Sequence, residues 1–228
     1  MERVSSGIEG FDTLVSGGFP AGRTYLVAGE PGTGKTLFCL QFLIQGAQQG
    51  QKGIYISIDE RPEHVIFNAE ALGWEIRSHL ESGMIQILDV TTYFSKSQVS
   101  GEGGIQIDHI VEDILGYVEK MGARRLAIDP IAPLVFSGRN NPDITEYIRR
   151  LVFALEDNAQ CTTLLTSYVP VGTDRVSQHG IEEFAASGII VLKLSKMNGK
   201  CIRTVWVRKM RATKIDLSEH SYEILTKR

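Results

Sequence analysis

Short runs of consecutive apolar residues alternate along this chain with segments whose apolar residues return every three or four positions. Residues 24–28, 54–58, 84–88 and 126–128 are mainly apolar runs of the first kind, and 162–166, around Leu164-Leu165, reads as a further strand. Such runs are the pattern of strands buried on both faces. Helical spacing predicts helices over residues 35–49, 62–72, 107–121 and 142–157. Pro62 falls in a first helical turn, where its missing N–H costs nothing. Within 107–121, Ile107, Ile110, Val111, Ile114, Leu115 and Val118 share one face. Residues 189–194 and 201–210 read as a β-hairpin closing across Asn198-Gly199. The expected fold is α/β: a mainly parallel sheet with helices on both faces and a C-terminal antiparallel hairpin. Ligands in such sheets sit beyond the carboxyl ends of the strands. The chemistry is therefore sought just after Ala28, Ile58, Ile128 and Thr166.

Composition changes this picture little. The chain has 228 residues, 43% hydrophobic and 22% charged, as in ordinary globular proteins. No linker of domain-boundary quality and no repeat interrupts it, so residues 1–228 are expected to form one domain. The stretch Gly101-Glu102-Gly103-Gly104 reads as a surface loop. A formal charge of −3, from 24 basic and 27 acidic side chains, gives no electrostatic case for tight nucleic-acid binding. Neither a long apolar run nor a signal-peptide core is present, so no membrane span and a cytoplasmic location are expected. Cys39, Cys161 and Cys201 are widely spaced and fit neither a disulfide framework nor a zinc pattern. They read as small hydrophobes in a reducing compartment.

One segment carries specific chemistry. Gly29-Glu30-Pro31-Gly32-Thr33-Gly34-Lys35-Thr36 matches the phosphate-loop pattern G-x-x-x-x-G-K-S/T. Its glycines let backbone N–H groups turn toward anionic oxygens. The helix that follows adds partial positive charge at its N-terminus. Lys35 offers a full charge to the β- and γ-phosphates, and Thr36 a hydroxyl to Mg²⁺. Residues Glu30, Pro31, Gly32, Thr33, Gly34, Lys35, Thr36 and Leu37 are the candidate nucleotide contacts. An apolar strand before the pattern and a long helix after it argue against a chance match. ATP with Mg²⁺ is the expected ligand.

Acids follow two other strands. Asp129 stands after 126–128, where a carboxylate holds Mg²⁺, usually through a water. Asp59 and Glu60 follow 54–58, where a carboxylate can orient water toward the γ-phosphorus. Capping of the helix near Pro62 is the plainer role for either. The longer arm of Glu60 favours it over Asp59. Ser167, after 162–166, is at a position that can sense the γ-phosphate, and an ordinary strand-end hydroxyl fits equally well. Lys209 and Arg211 lie two apart in a segment of strand character, about 6–7 Å along one face. Two cations so placed suit a γ-phosphate clamp, within one subunit or from a neighbour. Charge protecting an edge strand explains them as well, and spacing leaves both readings open.

The whole pattern resembles the KaiC and RadA branch of the RecA-type ATPases, and most of all a single KaiC domain. The resemblance rests on Ser6-Gly7-Ile8-Glu9-Gly10-Phe11-Asp12-Thr13-Leu14, on Ser16-Gly17-Gly18-Phe19-Pro20-Ala21-Gly22 and on Ile58-Asp59-Glu60-Arg61-Pro62. Leu72-Gly73-Trp74, His179-Gly180-Ile181-Glu182-Glu183-Phe184 and Lys209-Met210-Arg211 continue it, in the family's order, across essentially the whole chain. It implies a RecA-like core and a homohexameric ring with ATP between subunits. Lys209 and Arg211 would then act on a neighbour's nucleotide, joined by Thr213, with Asp59 and Glu60 as the water-activating pair. Asp59 departs from the family's commoner glutamate. Glu183 and Phe184 stand where the autokinase half of the clock protein carries an adjacent Ser-Thr pair, so the chain resembles the hydrolytic half and autokinase activity is not expected.

Three classes of function follow. The first is an oligomeric ATPase whose turnover switches a partner, itself not identified by the sequence. The second is a RecA- or RadA-like DNA-binding ATPase, for which residues 169–179 with Arg175 and His179, and Arg139, Arg149 and Arg150, offer thin support. The third is a nucleotide-binding signalling or assembly switch with little turnover.

Overall fold

The computed structural model describes residues 1–90, 107–131, 141–158, 161–169, 175–177, 182–197 and 199–226. The expected loop at Gly101–Gly104, together with Arg139 and His179, lies outside them. An eight-stranded sheet forms the centre. Its strands are β3 (Thr24–Gly29), β4 (Gly53–Ser57), β5 (Ile85–Asp89), β6 (Arg125–Asp129), β7 (Thr162–Tyr168), β8 (Gly188–Met197), β9 (Lys200–Met210) and β10 (Glu219–Tyr222). Their order across the sheet is β10-β9-β8-β3-β7-β6-β4-β5. The pairs from β8 through β3 to β5 are parallel, while β9 runs antiparallel to both β8 and β10. A two-stranded ribbon, β1 (Arg3–Val4) with β2 (Phe19–Pro20), precedes the sheet.

Every residue of β3 is buried, because helices cover both faces. Its side chains alternate between two cores, as strand geometry requires. Leu26 and Ala28 enter the core shared with α5 (Ile107–Met121) and α6 (Asn141–Asn158). Tyr25 and Val27 enter the core shared with α2 (Lys35–Gln48), α3 (Pro62–Ala71) and α4 (Ile76–Glu81). On α5 the predicted face holds where it is described: Ile114 and Val118 are buried, with Val111 and Leu115 packed against them. On α6, Ile148, Leu151, Val152 and Leu155 are buried at helical spacing. Each such side chain contributes roughly 1.5–3 kcal/mol of burial.

The mainly parallel sheet and the terminal hairpin agree with the sequence pattern, with differences at the edges. Ile58 lies one residue beyond β4, and β7 runs on to Tyr168, so Ser167 is inside a strand rather than after it. The hairpin strands are longer than their apolar runs, since the ladder continues where side chains are polar: Lys196 pairs with Cys201. Gly199 has φ 76, suited to the tight turn. The strand β10 carries no apolar alternation and went unrecognised, as did α1 (Phe11–Leu14), α4 and α7 (Glu182–Ala185), which are short. The strand β9 ends at Met210, leaving Arg211 just beyond it. An irregularity opposite Ile189/Ile190 leaves Arg208 unmatched, so the alternation shifts by one residue between Val207 and Lys209.

Candidate functional site

The carboxyl ends of β3, β4, β6 and β7 lie side by side, Gly29 level with Tyr168 and Ser57 level with Asp129. The loop leaving β3 turns into α2 at Gly34, whose φ of 91 is in the left-handed region. Thr33 is buried and its hydroxyl donates to the Glu30 carbonyl at 2.7 Å, closing the loop on itself. Pro31 and Gly32 form the exposed tip, while Leu37 packs inward beside the α2 core.

Lys35 is the first residue of α2 and is buried. Its Nζ donates to the carbonyls of Gly29 at 2.9 Å and Glu30 at 3.1 Å, and lies 4.6 Å from the centre of the Tyr168 ring. Burial lowers its pKa, and the Asp129 charge works in the opposite direction. A buried cation on neutral carbonyls at a helix N-terminus is a strong attractor for a polyanion.

Asp129 ends β6 and is buried. Its Oδ2 accepts from the Thr36 hydroxyl at 2.6 Å and from the Tyr55 hydroxyl at 2.5 Å, and its Oδ1 accepts from Thr166. Both carboxylate oxygens are thus engaged by side-chain hydroxyls of neighbouring elements. Tyr55 is held neutral, its pKa pushed up first by burial and then by Asp129. Thr36 and Asp129 place a hydroxyl and a carboxylate oxygen together, hard donors of the kind Mg²⁺ takes alongside substrate phosphates. The described residues hold no group of three or more His, Cys, Asp or Glu suited to a metal. A site completed by phosphate oxygens fits that donor set.

Asp59 and Glu60 follow β4. The pKa of Asp59 is raised by partial loss of solvent and, less, by Asp129. Ser57 donates to the Glu60 carbonyl, and Asn68 donates to Glu60 Oε1 at 3.1 Å, fixing both ends of that residue. Neither acid caps α3: its N-cap is Arg61, without a side-chain hydrogen bond. Ser167 is fully buried, opposite Ala28, with its hydroxyl 3.4 Å from the Tyr168 carbonyl.

The other predicted residues lie elsewhere. Gly29 pairs with Leu192 and Leu192 with Val205, so the loop leaves the sheet level with Val205. Lys209 pairs with Ile189, which pairs with Leu26. Lys209 is thus roughly 10 Å behind the loop along the strands, and Arg211 is further back. Lys209 Nζ donates to the carbonyls of Glu183 at 3.2 Å and Ala186 at 2.9 Å. Burial, then the nearby Arg211 charge, lowers its pKa. Thr213 accepts from Arg3 at 3.2 Å. Sequence reasoning missed Tyr55 and Thr166, which hold Asp129, and Tyr168 beneath Lys35. Their strand positions next to the predicted site were the available signal.

A family model described as "ATPase: KaiC" matches residues 4–228. A UPF0273 protein of Methanocaldococcus jannaschii is 33% identical, over 98% of this chain and 93% of that protein. The circadian clock oscillator protein KaiC of Parathermosynechococcus lividus is 32% identical over 97% of this chain, which spans 41% of that protein. The crystal structure of a KaiC-like protein from Pyrococcus horikoshii superimposes with a TM-score of 0.83 at 34% identity, covering 97% of this chain and 94% of that one.

Proposed function

The chain belongs to the KaiC ATPase family, and on that premise we propose that it is a Mg²⁺-dependent ATPase, one domain over residues 1–228, that works as a homohexameric ring. ATP binds the 29–37 loop, with Lys35 on the β- and γ-phosphates. Thr36 would hold Mg²⁺ directly and Asp129 would hold it through a water, where the ion would neutralise phosphate charge. Glu60, assisted by Asp59, orients the attacking water and accepts its proton. Lys209 and Arg211, with Thr213, complete the site of the adjacent subunit, and turnover drives a conformational switch read by a protein partner.

The observation that carries this reading is the joining of Thr36 and Asp129 at 2.6 Å beside the buried Lys35. The place of Lys209 and Arg211, well behind their own loop, supports service to a neighbouring copy. Among the described residues no helix is long and apolar enough to cross a membrane. Of residues 169–179, only Val169 and 175–177 are described, and nothing in them favours a nucleic-acid role.

Phosphate release measured against protein concentration, with native mass determined with and without ATP·Mg²⁺, tests the proposal. Specific activity should rise with concentration as the ring assembles. Arg211→Ala should lower turnover about 1,000-fold, as loss of an arginine finger does. Glu60→Gln should keep ATP bound and slow hydrolysis about 100-fold or more. Wild-type turnover in Arg211→Ala would sink the shared site, and wild-type turnover in Glu60→Gln would move the base elsewhere.

A further inference from the structure

The outer side of the phosphate loop is held by residues remote in sequence from it. Arg203 on β9 and Tyr222 on β10 stand directly opposite each other in the antiparallel ladder. The Arg203 Nε donates to the Gly32 carbonyl at 3.1 Å. The Tyr222 hydroxyl donates to the next carbonyl, that of Thr33. Just beyond β10, Ile224 lies against Gly34, where an added Cβ would stand 3.1 Å from its Cδ1. One cross-strand pair and one following side chain thus engage three successive loop residues.

We propose that Arg203 and Tyr222 are positioning residues, which hold the Gly32 and Thr33 carbonyls outward so that the loop N–H groups are set for phosphate before the nucleotide arrives. The reason lies in peptide geometry. In a trans peptide the carbonyl of one residue and the N–H of the next point to opposite sides. Fixing the Thr33 carbonyl on Tyr222 therefore turns the Gly34 N–H away from β10, and fixing the Gly32 carbonyl turns the Thr33 N–H inward, where it closes the loop on the Glu30 carbonyl at 3.4 Å. A glycine-rich loop has many backbone states to lose on binding, and holding two consecutive peptide planes removes part of that cost in advance. Tyr222 suits the task. Burial pushes its pKa up to about 12, so the phenol remains a neutral donor across the ordinary pH range. Neither residue touches the reacting atoms in this role, so binding rather than the chemical step depends on them.

The inference rests on the loop being the nucleotide site, and its test separates the two. Tyr222→Phe removes one oxygen. Arg203→Met removes the donor and keeps the stem. Affinity for ATP and ADP would be measured by calorimetry, turnover by phosphate release, and loop motion by hydrogen exchange of the free protein over residues 29–37. Each variant should weaken nucleotide affinity about fivefold. It should raise loop exchange by a similar factor and leave kcat within twofold of wild type. Unchanged affinity and exchange in Tyr222→Phe would overturn the inference, as would a fall in kcat at unchanged affinity. If the wild type binds neither nucleotide, the proposed function fails, while faster loop exchange in the variants still supports the positioning role. Should Arg203→Met fail to fold, Tyr222→Phe decides alone.

Discussion

The two ends of α2 each bury a cation, and the two are built in opposite ways. At the N-terminal end, Lys35 rests on two loop carbonyls and the face of Tyr168. At the C-terminal end, Arg125 is fully buried. Its guanidinium donates to Gln51 Oε1 at 2.8 Å, Gln49 Oε1 at 2.9 Å, and the carbonyls of Ser5 at 2.8 Å and Phe42 at 2.7 Å. Gly46 gives it room, since a Cβ there would come within 2.4 Å of Arg125 Cδ. Among the described residues no carboxylate pairs with it, although Asp12 favours its charge from a distance. The polar ends of a planar fork are filled by neutral oxygens, near the negative end of the helix dipole. Arg125 therefore closes a joint between the N-terminal segment, α2 and β6. Lys35 sits at the positive end of the same helix, which draws in negative charge. Burial alone does not mark a functional cation; what marks it is whether its surroundings still call for an anion.

Replacing each cation should separate the two roles. The largest effect is expected from Arg125→Met. Removing a partner from several buried oxygens, at about 1 kcal/mol each, should cost roughly 4 kcal/mol. For a chain of this size that lowers Tm by roughly 10 °C. A thermal melt measures it, and the folded fraction should keep its nucleotide affinity. If Arg125→Met melts like wild type, the joint is not what holds these segments. Next comes Lys35→Ala, expected to weaken ATP binding about 100-fold or more through loss of charge-assisted hydrogen bonds. Its Tm should hold or rise, because burial costs the Lys35 charge more than the Asp129 charge returns. Calorimetry showing near-normal ATP affinity would place the phosphates elsewhere.

The smallest effect is a pH dependence. Burial holds the Lys35 pKa below the usual 10.5. In the proposed role ATP binds the protonated form, so affinity should fall as pH rises through a value below the ordinary lysine range. Stability of the free protein should move the other way. Between the folded pKa and 10.5 the unfolded chain binds more protons, so unfolding free energy climbs with pH. Arg125, lowered only to about 10, stays charged at neutral pH. Affinity that stays flat through the whole ordinary lysine range would mean that the Lys35 charge is not used.

The interior of the fold was legible because its strands are apolar runs and its helices carry regular stripes. The glycine-rich 29–37 loop, Asp129 and the Asp59-Glu60 pair were legible because each directly follows such a run. Arg125 was not, since a basic residue beginning a strand looks like a boundary, and its acceptors at Ser5, Phe42 and Gln49 are distant in sequence. Nor was β10, whose Glu-His-Ser-Tyr carries no alternation and owes its place to backbone pairing with β9.

By itself, then, the sequence determined the alternation of strands and helices, the glycine-rich loop after β3 and the acids after β4 and β6, because local periodicity and spacing encode them. Only the tertiary structure decided that Asp129 is gripped by Thr36, Tyr55 and Thr166 and that β9 and β10 hold the loop from outside. It also decided that Lys209 lies behind its own loop. These depend on strand order and register across the sheet, which arise from packing between segments far apart in the chain and leave no local mark.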